Sequence, residues 1–187
     1  MRSTSRQLKV KRVRQGANEI VVRMRPGHPT QAIVQVGALA FPAAIGRSGR
    51  TSRKREGDGA TPIATMPVLR GYFRSDRIGR PKTLVKLYPI RKDMLWCDAK
   101  GEANYNRPVR APFSRSHETL RRDDHLYDIC LVMDWNIRER KQGAGSAIFF
   151  HLARPGFTPT EGCVAVRLRD MHRLLSLIAP GTRVRVI

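Results

Sequence analysis

A chain of 187 residues, 41% hydrophobic and 27% charged, is long enough for one domain around a single sizeable core and too apolar for a disordered segment. Its 36 Lys and Arg against 15 Asp and Glu leave a formal charge of +21, which predicts attraction to polyanions (nucleic acid, an anionic membrane face, an anionic wall) and carries no information about fold. No run approaches the roughly 18 apolar residues of a membrane span, and Met1 to Asn18 has neither the apolar stretch nor the small-residue site of a signal peptide.

The chain opens on Arg2, Arg6, Lys9, Lys11, Arg12 and Arg14 with no acid between them. This predicts a frayed basic arm within residues 1–18 that leads into a strand. Short β-type runs broken by Gly and Pro follow: Glu19–Met24, Gln31–Val36, Thr83–Tyr88, Tyr127–Met133, Ser146–Leu152, Val164–Leu168 and Arg183–Ile187. In Gln31–Val36 the alternation puts Ala32, Val34 and Val36 on one face. One helix stands out, its stripe formed by Leu168, Met171, Leu174, Leu175 and Ile178, ended by Pro180-Gly181. His172 lies off that stripe and reads as solvated. The pattern predicts a mostly β domain over 1–187 with one short C-terminal helix and no dividing linker.

Cys97, Cys130 and Cys163 form no metal spacing, and no metal or organic cofactor is expected. Cys130 sits in an apolar run and reads as a core thiol. The informative segment is Ser146 to Val166, where an apolar strand ends in His151, a Pro/Gly loop follows, and Thr160-Glu161-Gly162-Cys163 opens another apolar run. A histidine ending one strand and a cysteine opening the next can face each other across the loop. An imidazole within hydrogen-bond reach would take the thiol proton and later return it. Gly162 allows close backbone approach, so N–H groups of Glu161, Gly162 and Cys163 could meet an oxyanion. By spacing alone, a lone His and Cys twelve residues apart are more often unrelated core residues.

The segment resembles the active-site motif of the L,D-transpeptidase catalytic domain (YkuD-like) family, where a histidine precedes a Ser/Thr-x-Gly-Cys element. Upstream, Glu56-Gly57-Asp58-Gly59-Ala60-Thr61-Pro62 resembles the family's E-G-D-G-x-T-P turn, and Asn104–Arg107 and Asp123–Asp128 also resemble family segments. The resemblance implies a β-sandwich and a peptidoglycan transpeptidase of the periplasm or cell envelope. Cys163 would be acylated by a stem peptide, with His151 as base and then acid, and an amine of a second stem would resolve the thioacyl-enzyme. A carboxypeptidase or other hydrolase on this scaffold needs the same dyad, and the sequence does not separate the two. The commoner family motif, Ser-His-Gly-Cys followed by Arg, is here Thr160-Glu161-Gly162-Cys163-Val164-Ala165. Arg154 or Arg167 is a candidate for the missing charge.

Thr160, Arg154, Tyr105, Asn106, Arg107 and Tyr127 are candidates for the substrate groove, the tyrosines and Asn106-Arg107 equally for holding a loop together. Glu56–Gly59 reads as a Gly-rich turn ahead of an anion nest. Gly46–Ser52 mimics a phosphate loop without its Gly-Lys-Ser/Thr spacing. His125, beside Asp123 and Asp124, reads as structural ahead of a second acid–base role. A nucleic-acid-binding protein is the rival from another class. The scattered basic residues, 12 aromatics and absence of a recognised motif argue against specific nucleic-acid binding.

Overall fold

The structure, a computed structural model, describes residues 17–187. The expected basic arm lies outside the described residues except for Ala17 and Asn18, which already belong to the first strand. In chain order the strands of the main sheet begin with β1 (Ala17–Arg25), β2 (His28–Val36) and β3 (Leu39–Ala44). A small parallel pair follows, β4 (Arg50–Thr51) with β5 (Thr61–Pro62), then the long β6 (Thr65–Phe73) and the short β7 (Leu87–Pro89). β8 (Met94–Cys97), β9 (Arg107–Arg110) and β10 (His117–Thr119) form a separate three-stranded antiparallel sheet with β8 central. β11 (Ile129–Met133), β12 (Phe149–Leu152), β13 (Val164–Val166), helix α1 (Leu168–Leu177) and β14 (Ile178–Val186) complete the fold.

The fold is mostly β with one α-helix near its C-terminal end, as the sequence implied. Its main ladder runs β11-β12-β13-β3-β2-β1-β14-β6-β7, and it returns on itself because β6 also pairs with β11. Inside lies the larger core. Ile20, Val22, Ala32, Val34 and Val36 enter it from β1 and β2, and Met171, Leu174 and Leu175 from the helix. β11 and β12 are buried on both faces, which is why their sequences read as unbroken apolar runs. Ile129, Leu131, Met133, Phe150 and Leu152 point into the larger core. Cys130, Val132 and Phe149 point the other way, into a second core with Trp96, Leu120 and Tyr127, where the β8–β10 sheet covers them. Trp96 meets Phe149 edge to face at 5.1 Å.

Four expectations need correction. Of Thr83–Tyr88 only the end, Leu87 and Tyr88, is strand. Leu168 begins the helix but is exposed, so the stripe starts at Met171. The helix ends at Leu177, before Pro180-Gly181; Ile178 is already extended and β14 runs through Gly181 at φ 85°. β3, β6 and the β8–β10 sheet carried too little alternation to be expected at all. Pro42, Pro67 and Gly71 interrupt the first two. At Gly71, held between β7 and β11, a Cβ would stand 2.5 Å from Leu87 and 2.6 Å from Leu131.

Candidate active site

β12 and β13 are parallel neighbours, with His151 opposite Ala165 and Phe150 opposite Val164. The chain leaving β12 at Leu152 loops through Pro155–Phe157 and returns to enter β13 at Val164. The two strands therefore lie start beside start, and Cys163, just ahead of β13, comes level with Phe149 at the head of β12, while His151 lies two residues further along that strand. The returning turn is clamped by the segment after β3. Thr160 N–H donates to Ile45 O at 2.9 Å, and Arg47 N–H donates to Thr160 O at 2.7 Å. Thr160 Oγ1 donates to Cys163 O at 2.7 Å and accepts from Gly162 N–H at 3.2 Å. Gly162 sits at φ 129°, where a Cβ would fall 2.8 Å from Ala60 O, so the position requires glycine. The Gly46–Ser52 segment, unremarkable as a phosphate loop, is thus the brace of this turn. Glu161, expected to act through its backbone, also pairs with Arg47 at 2.7 Å.

Cys163 and His151 line one cavity of about 320 Å³, together with Thr160, Glu161, Arg154 and Tyr127. The thiol does not hydrogen-bond to the imidazole. It donates to Ala147 O at 3.3 Å and accepts from Phe149 N–H at 3.3 Å. Burial pushes the thiol up to about 12, with the negative charges of Glu118 and Glu161 adding to the effect. His151 Nδ1 lies 2.9 Å from Leu152 O. A carbonyl can only accept, so Nδ1 carries the hydrogen and Nε2 is the bare nitrogen. Burial lowers the imidazole to about 4, helped by the cations Arg122 and Arg154. Tyr127 meets the imidazole edge to face at 5.3 Å. The pair is therefore a neutral thiol and a neutral base, and the thiolate foreseen from the sequence is disfavoured by desolvation. Chemically this suits general-base catalysis, in which the proton leaves sulfur as sulfur attacks.

The other expected groove residues divide. Tyr105, Asn106 and Arg107 do not line the cavity. Tyr105 is buried and donates its hydroxyl to Glu56. Asn106 is fully buried; its Oδ1 accepts from Trp96 Nε1 at 3.0 Å and from Ala147 N–H at 3.1 Å, and its Nδ2 donates to Trp135 O at 3.0 Å. Arg167 stacks over Phe157 at 4.8 Å and stays off the cavity wall. His125 is exposed, bonded through Nδ1 to the buried Asp128 at 2.7 Å. The Glu56–Gly59 turn joins β4 to β5 and lends Glu56 and Gly57 to the cavity wall, while Asp58 accepts from Lys54 and from the N–H groups of Arg55 and Ala60. Lys54, Asp98, Glu118, Arg122 and Ser146 also line the cavity. Sequence reasoning missed them because tertiary packing alone brings them there; only Ser146, heading the informative segment, carried a signal. Among the described residues no cluster of His, Cys, Asp and Glu could hold a metal.

Residues 20–186 match the L,D-transpeptidase catalytic domain, YkuD. The chain belongs to that family. No curated protein and no solved structure matches it. Members of the L,D-transpeptidase family depend on a cysteine and act on peptidoglycan peptides, generally at the cell envelope. No helix among the described residues is long and apolar enough to cross a membrane.

Proposed function

We propose that this L,D-transpeptidase domain, taken as one catalytic unit over 1–187, cross-links peptidoglycan stem peptides in the cell envelope through a thioacyl-enzyme on Cys163. The observation that carries the reading is the pairing, in one cavity, of a buried thiol with a histidine whose Nδ1 is committed to Leu152 O. As a stem carbonyl approaches Sγ, His151 Nε2 takes the thiol proton from its place on Ala147 O, and the C–S bond forms. The imidazolium then gives that proton to the departing amine as the peptide bond breaks. A second stem's amine attacks the thioester and His151 accepts its proton; as the new amide C–N bond forms the C–S bond breaks, and the imidazolium returns that proton to sulfur. N–H groups of the Glu161–Cys163 turn are the candidates for stabilising the oxyanion, those of Glu161 and Cys163 ahead of Gly162, whose N–H serves Thr160. Thr160 acts through that turn, and Arg154 and Tyr127 flank the peptide.

The test is purified protein with disaccharide-peptides, products resolved by mass. Dimers are expected, lost in Cys163→Ala and in His151→Ala while both variants stay folded. The double variant is expected to be scarcely worse than either single one, because the roles are interdependent. Shortened monomers instead of dimers would make the enzyme a hydrolase, and near-normal turnover by Cys163→Ala would end the proposal.

A further inference from the structure

A second cavity, of about 510 Å³, shares no wall residue with that of Cys163 and His151 and is of a size for a small molecule. On β6, Arg70 and Tyr72 are two residues apart and so fall on one side of the strand. β7 runs beside them with Tyr88 in register with Tyr72, the two rings 6.3 Å apart. The facing wall comes from the small sheet, where Met94 of β8 stands opposite Arg110 of β9, and Arg91 is added from the turn between β7 and β8. Arg70 is half-buried and fixed on two sides. Its Nε donates to the Tyr72 hydroxyl at 3.1 Å, its guanidinium lies 5.9 Å from the centre of the Trp96 ring, and it has no carboxylate partner among the described residues. Arg91 and Arg110 share Asp93 at 3.3 and 3.8 Å, long contacts between exposed groups that hold little energy. Three guanidinium groups against one carboxylate leave two positive charges uncompensated. The shortage of anions extends along β9 to Arg107, which burial, Arg140 and Arg70 together push below its ordinary value.

We infer that this cavity is a second ligand site, which takes a small phosphate monoester carried on a ring. The charge selects the monoester. Near neutral pH it carries about −1.5 to −2 charges, which matches the surplus, whereas a carboxylate or a phosphodiester brings a single one. Guanidinium groups on opposite walls, Arg70 and Arg110, are suited to different oxygens of one phosphate. Tyr72, Tyr88 and Met94 supply the aromatic and apolar surface that a ring would cover. The site uses neither Cys163 nor His151, so it stands or falls apart from the proposed reaction.

The experiment titrates the full chain calorimetrically with phenyl phosphate, near neutral pH and in about 150 mM salt so that the spread surface charge is screened. Inorganic phosphate, which lacks the ring, and benzoate, which lacks the second charge, are the comparisons. One saturable site per chain is expected, with phenyl phosphate bound about tenfold tighter than either, the scale of a hydrogen bond between charged groups. Arg70→Gln should weaken phenyl phosphate about tenfold and Arg110→Gln about fivefold. Arg23→Gln, which removes the same charge from β1, should change it by less than about twofold, and Cys163→Ala should bind it as the unsubstituted chain does. Should Arg70→Gln fail to fold, the exposed Arg110→Gln carries the test. No saturable binding, equal affinities for phenyl phosphate and either comparison, a loss in Arg23→Gln as large as that in Arg110→Gln, or a loss in Cys163→Ala would each overturn the site.

Discussion

Burial raises the Cys163 thiol to about 12 and lowers the His151 imidazole to about 4, so at neutral pH both are uncharged. One consequence is a pH-dependent stability with a definite sign. Unfolded, the imidazole takes its proton near its ordinary value of 6.5; folded, it refuses one until about 4. Between those values the unfolded state binds more protons, so stability falls as pH drops from 6.5 to 4 and the contribution levels off below. The full span is about 3 kcal/mol, as an order of magnitude. Urea midpoints at pH 7, 6 and 5 should fall for the wild type and fall less for His151→Gln; parallel slopes would show that the imidazole is not held neutral. A second consequence concerns labelling. Cys130 is pushed well up by complete burial, and burial also raises Cys97. Cys163 is the cysteine on the cavity wall, so iodoacetamide should reach it first, but at a rate rising with pH beyond 8 rather than the fast neutral-pH rate of an activated thiolate. Peptide mass spectrometry after partial labelling reads both the order and the profile.

The elements that build the site are held by a few buried polar groups. Asn106 joins three of them: Trp96 of β8, the Trp135 carbonyl after β11, and the Ala147 N–H before β12. Ala147 O is the acceptor of the Cys163 thiol, so Asn106 positions the backbone on which that thiol's proton rests. Asn106→Ala leaves a buried indole N–H, an amide N–H and a carbonyl unpaired, and should cost about 3 kcal/mol or more. Measured by urea unfolding, a loss within about 0.5 kcal/mol would mean that water replaces the amide. The sequence offered Asn106 for the groove or for holding a loop together, and nothing in it named these partners. The contacts of Asn106 lie 10, 29 and 41 residues away, beyond the reach of any local pattern. By contrast β1, β2 and β11 were legible because alternation or continuous apolarity leaves a local record. β6 was not, because Pro67 and Gly71 break its pattern for reasons that exist only once β7 and β11 flank it. The Thr160–Cys163 turn lies between these cases: Gly162-Cys163 was visible, whereas the Gly46-Arg47 brace was not.

For the whole molecule the contrast is between a charge of +21 and a Cys163–His151 cavity lined by acids as well as cations. The pairing pattern separates the two. Asp76 is shared by Arg74 and Arg121, Asp93 by Arg91 and Arg110, and Asp124 by Arg122 and Arg154. Single acids thus absorb two arginines each, and the surplus cations remain spread over the surface. A spread charge attracts any polyanion without reading it, since sequence recognition needs base-edge contacts from a dedicated element. Duplex DNA should therefore bind weakly, with equal affinity for two unrelated sequences. Its binding constant should fall linearly on a log–log plot against salt and be mostly gone between about 50 and 200 mM. Anionic wall or membrane polymers should adsorb by the same term, without a contact in the cavity. Fluorescence anisotropy with two labelled duplexes over a salt series decides the matter. Tight binding that persists in 150 mM salt and differs between the duplexes would assign the charge to nucleic acid, and the surface would then need a function of its own.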